Sequence, residues 1–353
     1  MRKRILSLLI VLALCLGLLP VTALAADMNT VYVGGVELAG SSTSIAYATT
    51  NENGEVITEG ATADNYNIKW DSSTLTLRNA TIKKELHAYE GPLSNITEAA
   101  IGVLNNGGNT KLTITGGGIL FVNSNSGPIF VISSNGNAAL GIKNAKVTAT
   151  SSYGNGVTIQ SGNSENSSAS LTVDGGSLTA TAESSNVSGI RLRGTGETGG
   201  SSSTGTVSNN AIVRANGSAG GITSDFSTGV QYGTGGEETG GIVFDGKNGT
   251  AYGDVTLQED ITIGEGESLT LDDGASLNAG NHNVIVDDGT LDENLANSLG
   301  DSAKYVPAIT NHPKNVEVKE DETATFTVEA TGSDLSYQWQ QKTSGSGWMD
   351  ITG

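Results

Sequence analysis

The feature that most limits what this chain can fold into is a short phrase it keeps repeating. TLTLRNATI (74–82), LTITGGGIL (112–120), LGIKNAKV (140–147), LTVDGGSL (171–178) and GTVSNNAI (205–212) all read apolar-x-apolar-x, then a corner, then x-apolar. Gly205 is the one lapse at the first apolar position. The corner residues are Asn79, Gly116, Asn144, Gly175 and Asn209, spaced 28 to 37 residues apart. Glycine and asparagine are the residues that most readily hold a backbone with positive φ. The spacing therefore predicts a bend of one kind at one place in every repeat. IVFDGKNG offers a sixth, weaker copy with Gly246 at its corner.

A third alternating segment precedes each pair: Ala100-Ile101-Gly102-Val103, Pro128-Ile129-Phe130-Val131, Gly156-Val157-Thr158-Ile159 and Gly189-Ile190-Arg191-Leu192. Alternation of period two marks strands with one buried face. The stretches between, such as NNGGN, SNGN and RGTGETGGSSS, are polar and unequal in length, as surface loops are. Three short strands and a tight corner per repeat describe one coil of a parallel β-helix. A lone coil could not stand. Six inward side chains at about 2 kcal/mol each do not offset the backbone entropy of ordering roughly 30 residues at about 1 kcal/mol or more apiece. Stacking has to supply the rest.

Met1 to Ala25 reads as an export signal. Arg2, Lys3 and Arg4 lead an apolar run from Ile5 to Leu18, and Ala23-Leu24-Ala25 forms a small-residue cleavage site. No later segment is as hydrophobic, so no membrane insertion of the mature chain is expected. Cys15 is the only cysteine and lies within the signal, which leaves no disulfide or thiol chemistry. Loss of the signal takes the formal charge from −19 to −22. Such a surface is a poor partner for nucleic acid, which is bound by Lys and Arg. A secreted or cell-surface location and a bacterial source follow from the signal and the absent disulfides.

From Val255 to Leu291 the rhythm tightens to strands about every eight residues with acidic, glycine-bearing turns, the expected last coils. Residues 26–70, with Val31-Tyr32-Val33 and Tyr66-Asn67-Ile68-Lys69-Trp70, are expected to cap the first coil. Pro307 begins a different style. VEV, TATFTVEA and LSYQWQ alternate between turn signals at KEDE and TGSD.

This last segment resembles the opening half of bacterial immunoglobulin-like modules. The resemblance puts Trp339 at a buried strand position and Trp348-Met349-Asp350-Ile351 in the next strand. A full sandwich needs about 100 residues, so the segment is expected to be part of one. VYVGGVEL, the NIKWDSSTLTLRNATI entry and the LTITGGG coils resemble the pectin-lyase-like parallel β-helix proteins exported by Gram-positive bacteria, often described as carbohydrate-binding. The expected fold is all-β: a right-handed, three-sided parallel β-helix over 71–306, followed by an incomplete immunoglobulin-like β-sandwich over 307–353.

If Ile101, Ile129, Val157 and Ile190 point inward, Gly102 and Leu104, Phe130 and Ile132, Thr158 and Gln160, and Arg191 and Arg193 face out, with Thr223 and Asp225 on the next coil. Thr158, Gln160, Arg191, Arg193 and Asp225 are the candidate ligand-binding residues, and Arg193 is expected to meet Asp225 one coil away. Leu104, Phe130 and Ile132 are expected to form an outward apolar patch. Lyases of the resembled fold need carboxylates holding Ca²⁺ beside a basic residue, and its hydrolases need paired aspartates with Asn-Thr-Asp and Gly-His-Gly elements. Asp272-Asp273 and Asp287-Asp288 stand alone in short turns. With no catalytic constellation in view, no catalytic residue is assigned. Eleven acidic residues and no Lys or Arg lie between Asp254 and Glu293. Asp272, Asp273, Asp287 and Asp288 are thus the candidate Ca²⁺ ligands, and no other cofactor is expected. His87, His282 and His312 are scattered. Trp70, Tyr66, Tyr89, Tyr153 and Tyr232 are the aromatic candidates for a sugar platform. The function these features imply is non-catalytic binding of a glycan or host surface molecule; the alternatives are a polysaccharide lyase or hydrolase, or a structural stalk.

Overall fold

The computed structural model describes residues 30–38, 45–71, 73–84, 99–105, 107–117, 119–124, 127–162, 166–194, 202–226, 229–237 and 239–351. The export signal with Cys15, together with His87 and Tyr89, lies outside the described residues. The chain forms two compact units. One runs to Val255 and takes in Asp272–Ser276; the other holds Thr256–Leu271 and the chain from Leu277 onward.

The first unit is all-β, with long parallel sheets compatible with a β-helix. One sheet stacks Ile101–Asn105, Ile129–Ser133, Val157–Gln160, Ser188–Arg193 and Gly220–Ser224 in parallel. Ile101, Ile129, Val157, Ile190 and Ile222 pair in register and are all buried, which is the face that alternation indicated. Thr30–Val33 closes this sheet antiparallel to Ile101–Asn105. The other sheet carries the corner pairs. Thr110–Thr115, Ala138–Ser151 and Ser168–Ala182 run parallel, and the last two pass through their corners as single bent strands. Ser202–Ser208 and Ala211–Asn216 continue the two halves.

The corners turn left. Asn79, Asn144 and Asn209 hold φ of 46°, 48° and 52°, and Gly116 and Gly175 hold 141° and 69°. Asn144, Gly175 and Asn209 stand against one another, since a Cβ on Gly175 would lie 2.4 Å from Asn144 Oδ1 and 3.8 Å from the Asn209 carbonyl. Asn79 departs from that line. Leu75 pairs with Ile114, and Gly116 packs so tightly on Leu77 that a Cβ there would fall 1.7 Å from its carbonyl oxygen. The entry strand is also tied antiparallel to Ile68–Asp71, with Trp70 opposite Leu75, and that pairing sets its register. Gly246 is a second correction. Ile242 pairs with Ile212, so Gly241–Asp245 follows the corner instead of leading into it. The residues beside Asn209 and Asn210 are Thr239 and Gly240, joined by Thr239 Oγ1 to Asn209 Oδ1 at 3.0 Å and Asn210 N–H to Gly240 O at 2.8 Å. Gly246, with φ 60°, begins a hairpin to Asn248–Tyr252.

Gly205 has a physical reason. A Cβ there would sit 2.7 Å from the ring of Tyr232, which pairs with it from Val230–Gly233. The ladder Leu112, Leu140, Leu171 thus gives way to a glycine with a tyrosine filling its space.

In the second unit, Ile261–Ile263, Val284–Val286 and Ala303–Tyr305 form a parallel ladder, and Ser268–Leu271 pairs with Thr290–Leu291. A seven-residue helix, α1 (Glu293–Leu299), follows, with Asp292 accepting the Asn294 and Leu295 N–H groups at 3.0 and 3.3 Å. After Pro307 the strands are short: Ala308–Asn311 pairs with Glu329–Thr331, and Gln340–Gln341 with Met349–Asp350. The turns at Lys319–Glu322 and at Asp334 fall where the sequence placed them. VEV and residues 322–328 are not in strands. Trp339 is 42% exposed and not buried, with the Phe326 ring 6.3 Å away between ring centres.

Candidate functional site

The outward face of the first sheet brings the candidate ligand-binding residues together. Thr158 pairs with Arg191 and Gln160 with Arg193, and Arg191 pairs in turn with Thr223. Asp225 stands one residue past the next strand, where it accepts from both arginines. Arg191 reaches Oδ1 through Nη2 at 2.9 Å and Nε at 3.3 Å, and Arg193 Nε reaches Oδ2 at 3.3 Å. One carboxylate thus bridges two guanidiniums, leaving a local surplus of one positive charge. Both arginine side chains keep about two-fifths of their surface exposed. Thr158 is buried, its Oγ1 accepting from Asn155 Nδ2 at 3.4 Å, while Gln160 is half-buried. Ser188 and Thr223 share a 2.6 Å hydroxyl contact beside the pair.

The outward apolar residues are less open than their sequence positions imply. Leu104 is buried, and Phe130 and Ile132 are half-buried. A Cβ on Gly127 would meet the Phe130 ring at 2.1 Å, so that glycine lets the backbone lie on the ring.

Asp272, Asp273, Asp287 and Asp288 are all exposed turn residues. The Asp272 N–H donates to Ala251 O and its carbonyl accepts from Ala275; the Asp287 N–H donates to Ile263 O, and Asp288 turns with φ 58°. Among the described residues no three His, Asp or Glu side chains gather in a way that could hold a metal ion. His282 lies 3.4 Å from Asp260, whose carboxyl is held below its ordinary value chiefly by the Asn283 N–H. A second acidic residue has a structural role: Asp174 accepts from the Asn209 amide and pairs with Lys143 at 3.1 Å, and these contacts lower it.

The aromatic candidates separate. Trp70 is wholly buried. Tyr66 packs on Tyr47, 5.2 Å between centres, under the Arg78 guanidinium, and Tyr153 is two-thirds exposed with no partner ring among the described residues. Tyr232 lies at an inward position, 5.8 Å from Tyr252. Beside it Asp245 accepts the Ile222 N–H at 2.7 Å and that of Gly221, and burial pushes its carboxyl up. A corner at Gly246 puts Asp245 at an outward position of the repeat, whereas the observed register, GIVFD beside AIVRA, places it with inward Ala215. No helix among the described residues is long and apolar enough to cross a membrane. Compared with known proteins, the chain matches no family model, no curated protein and no solved structure.

Proposed function

We propose that this chain is a non-catalytic exported protein, secreted or held at a bacterial cell surface, that binds an acidic glycan through the outward face around Arg191 and Arg193. In this reading the parallel stack is a right-handed three-sided β-helix, and the segment after Pro307 belongs to an immunoglobulin-like module that displays it. The observation that carries the proposal is the sharing of Asp225 by two half-exposed guanidiniums. A guanidinium's planar fork suits carboxylate or sulfate oxygens. Here two forks are held on neighbouring positions of one strand, so little side-chain entropy is lost on binding. Gln160 adds an amide alongside.

The test is a glycan array carrying uronate-bearing, sulfated and neutral chains, read for the wild type and for the R191A/R193A double variant. Binding to acidic chains that weakens with added salt and disappears in a variant of unchanged melting temperature supports the proposal. Equal binding by both proteins overturns it. A lyase reading leans on the same arginines. It would replace the binding role if polygalacturonate and Ca²⁺ gave an unsaturated product absorbing in the ultraviolet.

A further inference from the structure

The inward face of the first unit changes character at Gly241–Asp245, the strand after which parallel stacking gives way to a hairpin. Ala149, Ala180, Ala215 and Asp245 occupy successive places in one ladder, so a carboxylate stands where three alanines precede it. In the hairpin, Tyr252, Thr250 and Asn248 pair with Gly241, Val243 and Asp245 and share their side. All of these but Gly241, with Tyr232, Lys247 and the glycine-rich turn 217–221, line an open cavity of about 590 Å³. Ligand pockets run from about 300 to 1,000 Å³. The chain leaves polar capacity unused here. No Lys, Arg or His among the described residues pairs with Asp245, and the Tyr232 hydroxyl is buried without a partner. The wall holds one carboxylate and one ammonium, which balance, so neither an anion nor a cation is favoured. It offers two tilted aromatic rings together with donors and acceptors. A pyranose has the matching surface: C–H faces that lie on aromatic rings, and hydroxyls that both give and accept hydrogen bonds.

We propose that this cavity binds one neutral sugar residue, with the Tyr252 ring as its platform and Asp245 and Asn248 as its hydrogen-bond partners. The site is separate from the Arg191–Arg193 face, which belongs to the other sheet and selects for negative charge. Calorimetric titration of the full chain with glucose, galactose, N-acetylglucosamine and lactose, and with glucuronate and putrescine as charged probes, tests it. At least one neutral sugar binds at one per chain. Tyr252→Ala weakens binding about ten-fold, the scale of one lost aromatic contact. Asn248→Ala, at the exposed start of the strand, weakens it several-fold with melting unchanged, which keeps the test valid should the tyrosine variant not fold. R191A/R193A leaves this binding intact. Absence of binding by all four neutral sugars, preference for glucuronate or putrescine, or undiminished binding in N248A overturns the proposal. Loss of acidic-glycan binding in the arginine variant leaves it standing.

Discussion

Gly176 and Gly274 hold nearly the same left-handed backbone, φ 74° and 75°, in opposite surroundings. A Cβ on Gly176 would fall 2.2 Å from the Ala145 carbonyl oxygen, whereas one on Gly274 would meet nothing within 4 Å. Gly274→Ala should therefore cost only the left-handed penalty, about 1 kcal/mol. Gly176→Ala should cost about 3 kcal/mol or more, because the neighbouring strand must move as well; urea unfolding of the two variants gives the comparison. Asp174 and Asp245 predict pH effects of opposite sign. Asp174 is lowered, first by the Asn209 amide and then by Lys143. Its contribution is present above the usual carboxylate range and is lost as the pH falls through that range toward the lowered value. Asp245 is raised by burial, so folding takes up a proton there, and stability improves as the pH falls from the raised value into the usual range. Against the wild type, D174N should lose least in acid and D245N should gain least. Thermal melts from neutral to acidic pH read both, and parallel curves would remove these two residues from the account.

At the level of the element, α1 shows what the repeat pattern hides. Asp292 before it, Gly300 with φ 52° after it and buried Leu295 and Leu299 four apart are start, stop and face in nine residues. Read against a background of strands with acidic turns, they look like one more turn. Asp292→Ala removes the acceptor for two N–H groups and should cost about 1 kcal/mol, with faster amide exchange at Asn294 and Leu295 as the direct readout. The parallel strands were legible because period-two alternation and loop polarity point the same way: Ile101, Ile129, Val157 and Ile190 are buried as read, and Arg193 meets Asp225. Register was harder. Gly246 satisfies the corner rule while the place beside Asn209 falls to Thr239, which does not, since a residue free to turn left is equally at home in a hairpin. Only the pairing of Ile242 with Ile212 reveals the shift. Trp339 departs from the buried place that the resemblance implies, since a motif names a strand position but not the layer that has to cover it.

Across the molecule, the three tryptophans report on different surroundings. Trp70 is fully buried in the first unit, while Trp339 and Trp348 in the second are 42% and 66% exposed. Acrylamide should quench a red-shifted majority of the emission at once and leave a blue-shifted remainder that yields only when the first unit unfolds. Full protection of all three would show Trp339 covered, against its 42% exposure. The hairpin that follows the alanine ladder bears on solubility. An interior made by repetition has no intrinsic length, and a strand edge left open invites a neighbouring molecule to continue the pattern, the first step toward a fibre. After Gly241–Asp245 the chain turns back at Gly246, and Asn248–Tyr252 takes the edge that strand would otherwise offer, running the opposite way. One glycine free to bend left thus closes off the parallel series from within the same polypeptide.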